Sequence, residues 1–346
     1  MASGIRSHVD VRRAWWAAAP TMTVRAAAAI LVVGASLLGC NTLQPPLPVD
    51  PGVAGSPVPD DSTAGDTGST TDGGSDLANG NISALEQLML ERINRARLRP
   101  GAEAARHGIT VDEGIPGQLN ALPRPAVAYN GQLGAAARDH ALDMLTNNFF
   151  AHDNLKGQTP FDRIVAAGYS FGGAGENLAW RGTTGTVDDV RTVEQMHDDL
   201  FVDEGIPDRG HRVVILTEHF REVGVGIRRG TFSHQGTTFD SMMAVQDYAV
   251  RRASTEFFIL GVVYNDANGN GQYDFGEGAA NEQVRLDQQS QLTSAGGGYS
   301  FMVPAGSYSL TFQNGRSEQV RVFDKNVKVD LVDGARVVLN LGLGDL

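Results

Sequence analysis

The chain has 346 residues, a formal charge of −12, 41% hydrophobic residues and a single cysteine. That apolar content suffices for ordinary globular cores and excludes global disorder, and the length allows two or three domains. No segment concentrates Lys and Arg, which excludes the basic footprint of a nucleic-acid partner.

Arg25 precedes an apolar run from Ala26 to Gly39 that Cys40 closes. The run is shorter than the roughly 20 residues of a membrane-spanning helix and fits a signal peptide. Leu37-Leu38-Gly39-Cys40 resembles the lipobox of bacterial lipoproteins. That resemblance makes residues 1–40 a lipoprotein signal peptide and Cys40 the lipidated first residue of the mature chain. The expectation is an exported protein, anchored to the membrane of the cell envelope by its lipid. Residues 41–80 hold six aspartates among Pro, Gly, Ser and Thr, with no aromatic, lysine or arginine. Such a segment buries too little apolar surface to order itself and reads as a disordered tether. No cysteine follows Cys40, so the domains expected at 81–253 and 257–346 must be stable without disulfides.

In the first of these, Ile82, Leu85, Leu88, Met89, Ile93 and Ala96 recur at helical spacing, and Arg99-Pro100-Gly101 is expected to end that helix. A second helix follows Asn130, its apolar side including His140, which reads as a satisfied, half-buried histidine. Thr159 as cap, Pro160 at the first position and Asp162 as box partner specify a third start. A fourth helix is expected near Thr186 with Asp189 as its box partner. Between them, the glycines from Gly168 to Gly182 are expected to turn the backbone sharply on either side of Glu176. Strand signals lie at Val223–Ile227 and Met242–Val250, and helices on either side of such a sheet give an α-β-α layering.

The pieces LMLERINRAR, AAARDHALDMLTNNFFAH, TPFDRIVAAGY, GENLAW, MHDDLF, GHRVVIL and HFREVGVGI occur in that order. In them residues 85–250 resemble the CAP superfamily of cysteine-rich secretory, antigen 5 and pathogenesis-related class 1 proteins. The resemblance implies a three-layer sandwich with a cleft where histidines and acidic groups converge, here His152, Glu176 and His211. Animal and plant members place a second glutamate before the last histidine, where this chain has Leu200. The hexapeptide VDEGIP occurs twice, at 111–116 and 202–207. Both copies read as acidic surface turns. A sharper expectation is that both border the cleft and that Glu204 replaces the missing glutamate.

Two imidazoles and a carboxylate are a legitimate zinc set with a position left for water, but no HExxH spacing fixes them on one helix. There is no Gly-x-Ser-x-Gly elbow, and the mature chain has no thiol nucleophile beyond the lipidated position.

The second domain opens with a strand, Phe257–Tyr264, and then Asp266-Ala267-Asn268-Gly269-Asn270-Gly271-Gln272-Tyr273-Asp274-Phe275-Gly276-Glu277. Asp266, Asn268, Asn270, Gln272, Asp274 and Glu277 occupy the positions from which a twelve-residue loop wraps calcium, Gln272 through its carbonyl, with Gly271 at position six. Short β-rich runs follow at Gln283–Asp287, Gly298–Val303, Ser307–Phe312, Gln319–Phe323 and Val337–Leu341, giving an all-β sandwich. This segment resembles the calcium-binding B-type repeats of bacterial surface adhesins, which implies that calcium braces it.

The reading is therefore an α+β chain: a CAP sandwich followed by a small β-sandwich. The leading function is an envelope lipoprotein whose cleft binds a small ligand, a peptide, another envelope component or a metal. The alternatives are a zinc-dependent hydrolase using His152, Glu176 and His211, or a purely structural or adhesive surface protein.

Overall fold

A computed structural model of the protein describes residues 82–340, together with the backbone of two short strands, β1 (Val24–Arg25) and β2 (Ile30–Val33). Cys40 and the 41–80 tether lie outside the described residues.

Helix α1 (Ala84–Leu98) starts from a complete capping box, in which Ser83 and Glu86 satisfy each other's backbone N–H. Pro100 does more than end it. It occupies the first turn of a further short helix, α2 (Pro100–Arg106), where its missing N–H costs nothing. Then come β3 (Ala128–Tyr129), α3 (Gly131–Thr146), α4 (Pro160–Ala166), β4 (Phe171–Thr183), α5 (Asp189–Val202), α6 (Gly210–Leu216), β5 (Glu222–His234) and β6 (Thr237–Arg251). Helix α4 begins where the sequence places it, with the Thr159/Asp162 box formed. Helix α5 starts two residues later than expected, capped by Asp188 rather than Thr186.

The glycine-rich stretch does not turn around Glu176. It forms the thirteen-residue strand β4, because its glycines sit where neighbours press close: a Cβ on Gly182 would lie 2.8 Å from the Phe239 side chain. The sheet order is β1-β4-β6-β5-β3, with β2 also paired antiparallel to β4, Leu31 opposite Glu176. Core residues alternate along β6. Met242, Ala244 and Tyr248 pack with Met89, Met196 and Ile215 of α1, α5 and α6, whereas Met243 and Val245 pack with Ala141 and Met144 of α3. Helix α3 lies directly on β5, where a Cβ on Gly224 or Gly226 would come within 2.0 and 2.3 Å of the helix backbone.

The remaining strands are β7 (Phe257–Tyr264), β8 (Gln283–Leu286), β9 (Gln289–Leu292), β10 (Gly298–Val303), β11 (Gly306–Phe312), β12 (Ser317–Val322), β13 (Val327–Val332) and β14 (Arg336–Asn340). They form two four-stranded sheets, β10-β7-β13-β14 and β12-β11-β8-β9, around a shared core that includes Ile259, Phe301, Leu310 and Val329. Neither β9 nor β13 was expected. In β13, Lys328 and Asp330 interrupt the apolar pattern, yet both are buried, and Lys328 Nζ lies 3.0 Å from Glu91 of α1 and 2.5 Å from Asp330. Val262, Tyr264, Tyr273 and Val332 enter the core built by α1, α5 and α6, so the two parts of the chain are packed as neighbours.

Candidate functional site

Strand β4 organises the site because consecutive side chains leave it in opposite directions. Glu176 points to the α3 and α4 side. There His152 Nδ1 donates to Oε1 at 2.6 Å and Arg163, on α4, donates to Oε2 at 2.6 Å. The other end of the guanidinium holds the His152 carbonyl at 2.7 Å, so Arg163 fixes both partners. Directly across the strand pair from Glu176 is Asp247 of β6. Both carboxyl groups are fully buried, and neither Asp247 oxygen has a hydrogen-bond partner among the described residues.

Burial, then the adjacent Glu176 charge, push the Asp247 carboxyl well above its usual range. Burial pushes Glu176 up to about 7 against the pull of Arg163. Glu176 already accepts from a guanidinium and an imidazole, so Asp247 is the member that keeps a proton at neutral pH. His140, nearby on α3, is fully rather than half buried, with Nε2 2.9 Å from the Ala151 carbonyl. Burial and then the Arg163 charge push it down to about 3, which makes it a neutral core group.

Asn177 points the other way, its amide donating to the His211 carbonyl at 3.2 Å and to Gln246 at 3.3 Å. His211, on α6, therefore belongs to the face opposite Glu176. Its carboxylate partner is Asp203, whose Oδ1 lies 2.5 Å from Nδ1 and whose Oδ2 accepts the His211 N–H at 2.8 Å. Asp203 ends α5 in the left-handed conformation, which turns its side chain inward. Glu204, next in sequence, is exposed at the rim of the same cavity. That cavity, about 730 Å³, is lined by Trp180, Arg181, Asp198, Asp199, Glu204 and His211, among others. Arg181 grips Asp199 with two hydrogen bonds, at 2.7 and 2.8 Å.

Sequence reasoning thus brought forward His152, Glu176 and His211, and the structure joins only the first two directly by a hydrogen bond. It missed Arg163, Asp203 and Asp247. The alternation of β6 was the one available signal for Asp247. The two VDEGIP copies are drawn together by Arg212. Its fully buried guanidinium donates to the carbonyls of Val111 and Glu113 in one copy and Val202 in the other.

Residues 90–248 match the family described as CAP: Cysteine-rich secretory protein family. This chain carries a CAP domain. It is 28% identical over 165 residues to the uncharacterized protein YkwD of Bacillus subtilis (strain 168), covering 48% of this chain and 49% of that one. The chain spans about half the length of the curated relative it matches. A crystal structure of an extracellular protein containing a SCP domain, from Bacillus anthracis str. Ames, aligns over 48% of this chain and 40% of its own, at 22% identity and a TM-score of 0.30.

The expected calcium loop lies beyond the matched segment but leans on the CAP domain. Gly269 and Gly271 take positive φ, and the Asp266 Oδ2 accepts the Gly271 N–H at 2.9 Å. Asp274 Oδ2 accepts from the amides of Asn268 and Asn270 at 2.7 and 2.6 Å, and Glu277 accepts from the N–H groups of Ala267 and Asp274. Asp266 Oδ1 is buried with no hydrogen-bond partner among the described residues, as a carboxylate oxygen awaiting a cation would be. The donor set is all oxygen, which suits a hard cation. From the CAP side, Arg92 of α1 donates to the Tyr273 carbonyl at 2.6 Å and to Asp274 Oδ1 at 2.7 Å, while also holding Glu194 of α5 at 2.8 Å.

Proposed function

We propose that this protein is an exported, lipid-anchored envelope protein whose CAP domain binds a cationic ligand, such as a basic peptide, in the cavity beside His211. On this reading the CAP domain is a three-layer α-β-α sandwich and residues 257–346 are an accessory β-sandwich braced by calcium through Asp266, Asn268, Asn270, Gln272, Asp274 and Glu277. The single observation that carries the binding role is the charge of the cavity wall. Four carboxylates, Asp198, Asp199, Asp203 and Glu204, line it with one guanidinium, Arg181; Asp199 engages Arg181 and Asp203 engages His211, which leaves Asp198 and Glu204 to meet a ligand. A concave, negatively lined site concentrates positive ligands.

Hydrolysis through His152, Glu176 and His211 is the weaker reading. His152, Glu176 and His211 do not form one ligand set, since His211 pairs with Asp203 on the face of β4 opposite the His152–Glu176 pair.

Isothermal titration of the purified chain with tri-lysine and tri-glutamate tests the proposal. Tri-lysine should bind, more weakly as ionic strength rises. The double variant Asp198→Asn/Glu204→Gln, altered only at exposed or half-exposed positions, should lose most of that affinity while keeping its melting temperature. Equal binding of both peptides, or none of tri-lysine, would defeat the reading.

A further inference from the structure

A second group of ligating side chains lies at one end of the same cavity, away from the His152–Glu176 pair. Glu103 sits on α2, His107 ends that helix one turn later, and Asp198 lies on the facing side of α5. One ligand atom from each falls within 4.8 Å of the other two. His107 Nε2 lies 3.4 Å from Asp198 Oδ1, yet it is buried and makes no hydrogen bond. For two ligands each about 2.1 Å from a tetrahedral zinc ion, the separation along the edge of the tetrahedron is about 3.4 Å. The spacing therefore suits two groups sharing a metal better than a donor and acceptor sharing a proton.

Glu103 is positioned from behind. Arg95 donates to its two oxygens at 2.8 and 2.6 Å, and the fully buried His197 has Nε2 3.3 Å from Oε1. These bonds take both acceptor positions of Oε1 and one of Oε2, so the carboxylate is held in place with one Oε2 position left for a cation. His107 and Asp198 both line the cavity, which gives an ion a way in and a side from which water or ligand completes its shell.

We propose that Glu103, His107 and Asp198 form a binding site for a divalent transition metal of the zinc class, opening into the CAP cavity. An imidazole nitrogen with two carboxylates favours such a metal over calcium or magnesium. The metal site shares Asp198 with the acidic wall proposed to hold a cationic ligand but stands independently of that reading, and bound zinc should weaken tri-lysine binding by offsetting the wall's charge.

The test uses the full chain, stripped of metal with chelator and titrated with zinc chloride by calorimetry, with elemental analysis after dialysis. Cobalt(II) supplies a visible spectrum as a second readout. One high-affinity equivalent is expected. His107→Gln should abolish it, and Asp198→Asn, at a half-exposed position that does not threaten folding, should weaken it at least tenfold and erase the cobalt bands. His219→Gln, an exposed histidine elsewhere, should change neither. Undiminished zinc binding in His107→Gln, loss of the metal in His152→Gln instead, or no retained equivalent in the natural chain would each overturn the assignment. Tri-lysine titration of the metal-free chain separates the two readings. Zinc bound through His107 without tri-lysine binding leaves the metal site standing alone, and the converse leaves only the peptide site.

Discussion

Replacing Arg92 with methionine keeps the aliphatic stem and removes only the charged fork. Three bonds vanish, to the Tyr273 carbonyl, Asp274 and Glu194. They do not count equally. The Glu194 side chain is 43% exposed, so that pair contributes about 0–1 kcal/mol. Asp274 is 29% exposed and faces a guanidinium that is only 6% exposed, so this bond falls nearer the 1.5–3 kcal/mol of a charge-assisted contact. The Tyr273 carbonyl, packed where the two parts of the chain meet, loses its donor at a cost of about 1–3 kcal/mol. Together these come to about 2.5–7 kcal/mol, which brackets the 3–5 kcal/mol typical of breaking a buried pair. At about 2–4 °C per kcal/mol for a folded region of this size, the melting temperature should drop by roughly 10 °C. Urea unfolding of Arg92→Met against the natural chain, each with and without calcium, measures this. Freed from the guanidinium, Asp274 should also make the loop more anionic, so calcium should stabilise the variant more than the parent. A loss below about 1 kcal/mol, in the range of an ordinary surface change, would refute the argument that Arg92 ties the calcium loop to the CAP domain.

Other outcomes follow from the same geometry. Asp247→Asn removes a buried acid whose folded value is raised. Stability that the parent has in full below the unfolded value near 4 is lost as pH rises toward the raised folded value, so the variant should gain on the parent progressively from pH 4 to 8. Chemical denaturation across pH 4 to 8 should show two curves that converge in acid, and parallel curves would show that Asp247 carries no proton. Gly226→Ala drives a methyl into the α3 backbone and should prevent folding or cost more than about 3 kcal/mol, whereas Gly236→Ala, with open space but positive φ, should cost about 1 kcal/mol. Circular dichroism melts separate them. Asp274→Ala should abolish calcium-dependent thermal stabilisation, and an identical calcium response in parent and variant would remove calcium from that loop. Metabolic labelling with a palmitate analogue should tag the chain at Cys40 and leave Cys40→Ser unlabelled.

Local chemistry was legible in the sequence wherever a few neighbouring residues settle a backbone choice. The Thr159-Pro160-Asp162 start of α4, the strand Phe257–Tyr264 and the spacing of donors from Asp266 to Glu277 depend on hydrogen bonds and φ values within one turn or one loop. Burial across the chain did not read through as well. Strand β13 was missed because Lys328 and Asp330 look like surface residues until Glu91, far away in sequence, supplies a partner. The glycines of β4 looked like turns because only the packed neighbours show that they make room rather than bends.

The functional groups divide along the same line. The resemblance of the surrounding motifs to the CAP superfamily singled out His152, Glu176 and His211, since these residues by themselves make no local metal motif. Which of them touch was decided by strand alternation, which sends Glu176 and Asn177 to opposite faces and separates His152 from His211. Register placed Asp247 against Glu176, and one left-handed residue turned Asp203 inward while leaving Glu204 in solvent. These are distances between residues remote in sequence, set by sheet pairing and helix packing, and no local pattern in the chain encodes them.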